Sequence, residues 1–141
     1  MDLGVAAVVL HDLDASRTNA LQADVARHYG AARCRVGGDL ERDIAAADAI
    51  VNATQTGMTG FPGNPVPVAA IKASHWAADV IYTPVETEFI KAAAAKGART
   101  LNGGGMCVHQ AIEAFRLLAA TEADVARMHR AFTRGLTVRD G

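Results

Sequence analysis

The chain has 141 residues, of which 50% are hydrophobic and 21% charged, which suits one folded domain with a buried core. Its 14 lysines and arginines nearly balance its 15 aspartates and glutamates, and no run of like charge stands out, so neither nucleic acid nor an anionic membrane is an expected partner. Since no apolar run approaches the roughly 20 residues of a membrane helix and no signal-peptide pattern is visible, we expect a cytoplasmic protein with small-molecule partners.

The first half of the sequence alternates predicted strands and helices. Residues 5–10 form a continuous apolar, β-branched run, which is typical of a strand buried on both faces of a parallel sheet. A helix should follow, with Asp14 or Ser16 as its N-cap and Gly30 at its end. The alternation continues with a short strand at residues 34–36, a weak helix at 40–47 and a strand at 49–52.

The second half continues the pattern after a loop rich in glycine and proline. A strand at residues 76–82 leads to a helix at 86–96, and a short strand at 99–101 leads to three glycines. The remaining predicted elements are an amphipathic helix at 106–119 and a final helix at 122–132. This alternation predicts an α/β fold with a doubly wound parallel sheet, in which ligands bind at the carboxyl ends of the strands.

Histidine and cysteine show no metal or disulfide pattern in the sequence. No pair among the five histidines has ligand spacing with carboxylates or thiols around it, so no metal site is expected, and His109 should be solvated on the polar face of its helix. Cys34 and Cys107 are too isolated for a disulfide framework, and we expect both to be buried free thiols.

Asp12 directly follows the first predicted strand. An acidic side chain at this position of a dinucleotide-binding fold accepts hydrogen bonds from the adenosine ribose and repels a 2′-phosphate, which favours NAD over NADP. Arg17 could approach the same adenosine end, which keeps NADP open as the second choice. A structural interpretation, in which Asp12 or Asp14 only caps the helix, fits these residues equally well.

Small residues follow two other predicted strands. Asn52, Ala53 and Thr54 could line a ribose and a nicotinamide without crowding them, although a simple strand-to-loop turn explains them as well. Gly103, the first of three consecutive glycines, lets a ligand approach bare backbone at a helix N-terminus, where N–H groups are unpaired and the helix dipole is positive.

Three segments together resemble the cofactor-binding half of the shikimate and quinate dehydrogenases. They are VNATQTGM at residues 51–58, ADVIYTPVET at 78–87 and NGGGMCVHQA at 102–111. Gln55 stands where the family usually has proline. In NADP-using members, the residues at the adenosine end resemble Asn-Arg-Thr. This chain has Leu13 in place of the arginine and is similar there to the NAD-using quinate/shikimate branch.

The resemblance implies an oxidoreductase that transfers a hydride between NAD and the ring hydroxyl of shikimate or quinate. It implies that Tyr82 donates its hydroxyl to the substrate and that Gln110 hydrogen-bonds the substrate. The implied cofactor contacts are Asp12 and Arg17 at the adenosine, Asn52, Ala53 and Thr54 along the ribose and nicotinamide, Gly103 at the nicotinamide amide and Met106 on the nicotinamide ring. Taken singly, Tyr82, Met106 and Gln110 also fit ordinary surface or core roles.

Two parts of the family pattern have no counterpart in the sequence. One is the N-terminal domain that supplies a Lys/Asp acid–base pair, so no catalytic residue is assigned here. The other is the first Rossmann strand with its glycine-rich pyrophosphate loop. We therefore expect residues 1–141 to be a truncated dinucleotide-binding domain with C-terminal helices, lacking its first strand and not competent alone.

Two other interpretations stay open. One is a non-catalytic module that binds a nucleotide, or that assembles with a separately encoded N-terminal half or with itself. The other is an amino-acid or folate dehydrogenase that shares this cofactor domain. Tyr82 and Gln110 argue against the latter, because residues at these two positions would contact the substrate and not the cofactor.

Overall fold

The computed structural model describes residue 2 and residues 4–139. The chain divides into two compact units, Met1–Ala47 and Asp48–Gly141. Each unit has its own parallel sheet, and all strand pairs are parallel. The expected α/β class is therefore confirmed. Within the described part of the chain, none of the helices has the length and apolar character that a bilayer crossing requires.

The first unit is a two-stranded βαβα arrangement. Its elements are β1 (Val8–Leu10), α1 (Ala15–Tyr29), β2 (Cys34–Val36) and α2 (Leu40–Ala46). The Asp14 side chain accepts a hydrogen bond from the Ser16 N–H at the start of α1, and Gly30 ends this helix with a φ of 90°. Both helix boundaries confirm the sequence prediction, because capping chemistry is local and therefore readable from sequence.

The expected burial of the first strand on both faces is wrong. The strand covers only Val8–Leu10 instead of residues 5–10, and Val9 is 37% exposed. Its neighbours Val8 and Leu10 point to the opposite face and are half-buried. Among the described residues, β1 pairs only with β2. One face of this small sheet is thus half-buried and the other is exposed, unlike a parallel sheet that is buried on both faces.

The second unit contains a three-stranded sheet in the order β3–β4–β5. Its elements are β3 (Ala49–Asn52), β4 (Trp76–Asp79), α3 (Glu88–Ala95), β5 (Arg99–Leu101), α4 (Gly103–Ala119) and α5 (Val125–Arg139). Burial alternates along β3 and β4, so that one face of the sheet forms the core of this unit with α3. Phe89 of α3 is fully buried in that core.

Three element boundaries of this unit differ from the sequence prediction. The strand expected at 76–82 ends at Asp79, because the Asp79 carboxylate accepts a hydrogen bond from the Ile81 N–H and turns the chain. The helix expected at 106 begins at Gly103, because Asn102 acts as its N-cap. The helix expected at 86 begins at Glu88, with Thr87 as its N-cap.

The predicted apolar face of α4 is covered only near the start of the helix. Val108 is buried and Cys107 is half-buried, whereas Leu118 is 88% exposed. Both cysteines are free, as expected, but only Cys34 is fully buried. The prediction failed along the second half of α4 because amphipathic spacing gives the face of a helix and not the length over which a partner covers it.

His75 is the one fully buried histidine among the described residues, at the start of β4. Its Nδ1 accepts a hydrogen bond from the Lys72 backbone N–H at 3.1 Å. Burial foremost, and then the charge of Lys72, lowers the pKa of His75 below its ordinary value of 6.5.

We expect acid to destabilise the second unit through His75. Because the pKa of His75 is lower in the folded protein, the imidazole of the unfolded chain is protonated first as the pH falls. The contribution of neutral His75 to the free energy of unfolding is therefore complete above pH 6.5 and decreases below it. Urea unfolding, followed by the fluorescence of the single tryptophan Trp76, measures this directly. The free-energy difference between the wild type and His75→Gln should shrink between pH 7.5 and 5.5. A difference that stays constant over this range would show that His75 does not cause the acid sensitivity.

Candidate cofactor and substrate site

The carboxyl ends of β3, β4 and β5 lie at one edge of the sheet, because all three strands are parallel. The residues predicted to bind the nicotinamide end and the substrate follow these strand ends or lie on the helix after them. They are Asn52 at the end of β3, Ala53 and Thr54 after it, Tyr82 after β4, and Gly103, Met106 and Gln110 in α4. The second unit therefore carries seven of the nine predicted site residues on the strand-end segments of one sheet.

A buried carboxylate, Asp79, ties these strand ends together. Its Oδ1 accepts hydrogen bonds from Asn52 Nδ2 at 3.1 Å and from the Ile81 N–H at 3.0 Å. Its Oδ2 accepts a hydrogen bond from the Thr87 hydroxyl at 2.6 Å. Asp79, Asn52 and Thr87 are all nearly inaccessible to solvent. One side chain thus joins the end of β3, the turn after β4 and the start of α3.

Asn52 uses its side chain to shape the loop after β3. Its Oδ1 accepts hydrogen bonds from the Thr54 N–H at 3.1 Å and from the Thr54 hydroxyl at 2.7 Å, while its Nδ2 also donates to the Thr56 carbonyl at 3.1 Å. These bonds occupy the Asn52 amide completely. The exposed residues that this loop offers to a ligand are therefore Ala53, Thr54 and Gln55, with the Thr54 N–H and hydroxyl already bonded to Asn52.

The three glycines at the start of α4 differ in their surroundings. A Cβ at Gly103 would lie 2.4 Å from the Ile81 carbonyl oxygen and 2.5 Å from that of Val80, so the helix approaches the turn after β4 as closely as only glycine allows. A Cβ at Gly104 would lie 3.1 Å from the Phe132 ring, whereas one at Gly105 would meet nothing within 4 Å. Packing alone therefore requires glycine at 103, and the open space lies above Gly105.

Tyr82, Met106 and Gln110 are exposed. Tyr82 is 45% exposed and Met106 38%, and neither the Tyr82 hydroxyl nor the Gln110 amide forms a hydrogen bond with another described residue. Met106 and Gln110 lie four positions apart on α4 and hence on one side of the helix. These three side chains are available to a ligand at the strand-end edge.

An open cavity of about 310 Å³ lies beside this edge, between the loops that follow β3 and β4. Its lining includes Gly57 and Met58 from the first loop, Pro84 and Glu86 from the second, and Lys91 from α3. None of the predicted site residues lines it. Its lining carries two carboxylates, those of Glu86 and Glu88, and one ammonium group, that of Lys91.

The first unit carries the two residues predicted at the adenosine. Asp12 follows β1 and is exposed, and its Oδ1 accepts a hydrogen bond from the Asp14 N–H at 2.8 Å. Arg17 pairs with Asp14 instead of Asp12, with Nε 3.4 Å from Oδ2. Hydrogen bonds from the Ser16 hydroxyl and N–H lower the pKa of Asp14. Asp14 is thus the helix cap, and Asp12 keeps a carboxylate oxygen for other partners.

A polar cluster that sequence analysis missed lies next to Asp12. His11 Nε2 is 2.8 Å from Asp43 Oδ2, and the other Asp43 oxygen pairs with Arg35. The Arg35 hydrogen bond foremost, with help from His11, lowers the pKa of Asp43 despite its partial burial. The His11 ring covers Gly37, where a Cβ would lie 2.0 Å from Nε2. The cluster fixes the end of β1 against α2, and no sequence motif indicates it.

Within each unit, the residues present have the chemistry that contacts with a dinucleotide require. An acidic group that keeps an oxygen free follows β1, and exposed small residues and a thioether follow the parallel strands of the second unit. Ligands of parallel α/β folds bind at such strand ends. These features define an α/β protein of the Rossmann class.

Comparisons with known proteins agree with this class. No family model matches the chain. It is 46% identical over 132 residues to the quinate/shikimate dehydrogenase (NAD(+)) of Corynebacterium glutamicum, covering 92% of this chain and 46% of that protein. It is 41% identical over 130 residues to the shikimate dehydrogenase (NADP(+)) of Streptomyces avermitilis, covering 91% and 45%.

Solved structures give the same result. The quinate dehydrogenase from Corynebacterium glutamicum in complex with NAD matches with a TM-score of 0.86 and 42% identity, over 93% of this chain and 47% of that one. The shikimate 5-dehydrogenase from Thermus thermophilus in complex with NADP(H) and shikimate matches with a TM-score of 0.76 and 29% identity, over 94% and 47%. Over the residues that it spans, the chain belongs to the shikimate/quinate dehydrogenase family. It spans about half the length of these relatives.

Proposed function

We propose that the chain provides the cofactor-binding part of an NAD-dependent quinate/shikimate dehydrogenase. The cofactor would accept a hydride from the carbon that bears the ring hydroxyl of shikimate or quinate. In the reverse direction it would supply the hydride to the corresponding ketone. The observation that carries the proposal is the exposed Asp12 carboxylate after β1, followed by Leu13, in a chain 46% identical to an NAD-using relative. In this proposal residues 1–141 supply no catalytic acid or base, so the chain is not active alone.

Each predicted residue has a defined task in this proposal. Asp12 accepts hydrogen bonds from the adenosine ribose, and Arg17 lies at the same end. The loop of Asn52, Ala53 and Thr54, together with Gly103 and Met106, holds the ribose and nicotinamide. Tyr82 and Gln110, whose polar groups have no partner among the described residues, hydrogen-bond the substrate.

A second candidate function is a nucleotide-binding subunit. Such a subunit would pair with a separately encoded N-terminal half or with a second copy of this chain. Addition of the N-terminal half of the Corynebacterium glutamicum enzyme distinguishes the two. Dehydrogenase activity in the mixture would support a complementing subunit, whereas activity only in a covalent chimera would support one continuous enzyme.

Cofactor choice tests the role of Asp12. In a chimera with that N-terminal half, we expect NAD to bind more tightly than NADP, because a like charge near the 2′-phosphate costs on the order of one to a few kcal/mol. Asp12→Asn combined with Leu13→Arg should shift the preference toward NADP. Calorimetric titration with both cofactors measures this shift. Asp24→Asn removes the same charge from the exposed face of α1 and serves as the control. Tighter NADP binding by the wild type would contradict the assignment.

Substrate contacts are tested in the same chimera. Gln110→Ala and Tyr82→Phe should each raise KM or lower kcat by about three- to tenfold, since a neutral hydrogen bond contributes roughly 0.5–1.5 kcal/mol. The affinity for NAD should stay within twofold of the wild type. Steady-state kinetics with quinate and shikimate, and NAD titration, give both quantities. If NAD affinity fell as much as kcat/KM, the residue would belong to the cofactor site or to the fold.

A further inference from the structure

His109 of α4 and His129 of α5 form a pair that nothing in the proposed dehydrogenase chemistry uses. Their ring centroids lie 5.8 Å apart with an interplanar angle of 80°, although the residues are twenty positions apart in sequence. Both side chains are exposed. We propose that these two imidazoles form an inter-helical site for a divalent transition-metal ion of the Zn²⁺, Ni²⁺ or Cu²⁺ type.

Each of the other three histidines has one ring nitrogen engaged in a hydrogen bond. His11 Nε2 bonds Asp43, His28 Nδ1 bonds the Asp24 carbonyl, and His75 Nδ1 accepts from the Lys72 N–H. In contrast, neither ring of the pair forms a hydrogen bond with another described residue. Two imidazoles with free nitrogens thus meet each other, which makes them the histidines best placed to share a ligand.

The distance suits a shared ion. With metal–nitrogen bonds of about 2.0–2.1 Å, two imidazoles on one tetrahedral ion have centroids roughly 5 Å apart. The observed 5.8 Å requires the rings to approach slightly and one ring to rotate out of its edge-to-face contact. Exposed side chains rotate freely on the nanosecond scale, so this change needs no backbone movement.

The backbone around the pair is fixed by the packing of the two helices. α4 and α5 pack together, and the Phe132 ring of α5 lies against Gly104 near the start of α4. Phe132 is one turn beyond His129, and Gly104 lies just over one turn before His109. The helices therefore hold the two histidines opposite each other without help from a metal, which reduces the entropy cost of binding.

Imidazole selects the class of ion. Neutral histidine is a ligand for Zn²⁺, Cu²⁺ and Ni²⁺, whereas Mg²⁺ and Ca²⁺ require oxygen ligands. No group of three or more His, Cys, Asp or Glu that could hold a metal occurs among the described residues, so water completes the coordination shell. Glu113, one turn after His109, is engaged by Arg116 at 2.9 Å. The sequence pattern gave no metal site because the two ligands come from different helices.

Calorimetric titration of the 141-residue chain with Zn²⁺ and with Ni²⁺ tests the proposal. We expect one saturable site per chain, with affinity at least tenfold weaker in both His109→Asn and His129→Asn. The matched control His28→Asn should bind as the wild type does. Mg²⁺ should not bind at this site. Circular dichroism checks that each variant retains its helices.

Because both histidines would bind the same ion, loss of either one should weaken binding of all the metal. If each variant lost only half of the bound metal and kept the affinity of the remainder, the histidines would act independently and the proposal would be wrong. Unchanged binding in either variant, or loss of binding in His28→Asn, would also overturn it. Because the titration uses no nicotinamide cofactor or substrate, its result is independent of the proposed dehydrogenase function.

Discussion

Gly103→Ala should destabilise the second unit by about 3 kcal/mol, the upper part of the range for an added methylene in a packed core. The new Cβ would lie 2.4 Å from the Ile81 carbonyl oxygen and 2.5 Å from the Val80 carbonyl oxygen. Both obstacles are backbone atoms, so no side-chain rotation relieves the overlap. Either α4 moves away from the turn that follows Asp79, or that turn shifts. Urea unfolding monitored by Trp76 fluorescence measures the change in free energy.

Gly105→Ala is the matched control for this prediction. It adds the same methyl group two residues further along the same helix, where a Cβ meets nothing within 4 Å. Since alanine has a higher helix propensity than glycine, this variant should be stabilised by about 0.5–1 kcal/mol. Opposite signs at 103 and 105 would show that contact with the turn after β4 decides the effect. Equal destabilisation would mean that the close approach of α4 to this turn is not responsible.

These two glycines also show what sequence could and could not predict. The glycine run and its place before a helix were readable, and they correctly indicated a strand-to-helix transition between β5 and α4. The functional interpretation put ligand contact at Gly103, whereas the structure gives that glycine a packing reason of its own. A glycine in such a run indicates that a Cβ is not tolerated at that position. Only the three-dimensional structure shows whether backbone or a ligand occupies the space that the Cβ would fill.

Helix caps were predictable for α1 but not for α3 and α4. Asp14, one of two expected N-caps, and Gly30 bound α1, whereas Thr87 and Asn102 were not recognised as N-caps. Strand lengths were less predictable. The strand β4 ends three residues before the apolar run does, because Asp79 bonds the Ile81 N–H. That bond competes with the sheet ladder, and hydrophobic pattern carries no information about it.

The buried network around Asp79 lay beyond sequence analysis for a different reason. Asp79 and Thr87 lie in a segment that resembles the family, yet the resemblance implies no chemistry for them. The contact of Asp79 with Asn52 depends on parallel pairing, which sets the two residues side by side in the register of β3 and β4. A buried carboxylate after a strand, with a threonine at the N-cap of the next helix, is the pattern that would have indicated it.

Asp79→Leu should destabilise the second unit by at least about 3 kcal/mol, because three buried donors lose their acceptor and each costs about 1–3 kcal/mol when left unpaired. These donors are the Asn52 amide, the Ile81 N–H and the Thr87 hydroxyl. Asp79→Asn keeps the shape and one acceptor oxygen, so its loss should be about 1–2 kcal/mol.

The two variants at Asp79 separate hydrogen bonding from charge. If the network is held by acceptor geometry, Asp79→Asn keeps most of the stability and Asp79→Leu loses most of it. Urea unfolding by Trp76 fluorescence gives both values, with the exposed Asp48→Asn at the other end of β3 as a control expected within about 0.5 kcal/mol of the wild type. An Asp79→Leu variant as stable as the wild type would show that the strand ends hold their positions without this carboxylate. The loop of Ala53 and Thr54 would then owe its conformation to Asn52 alone.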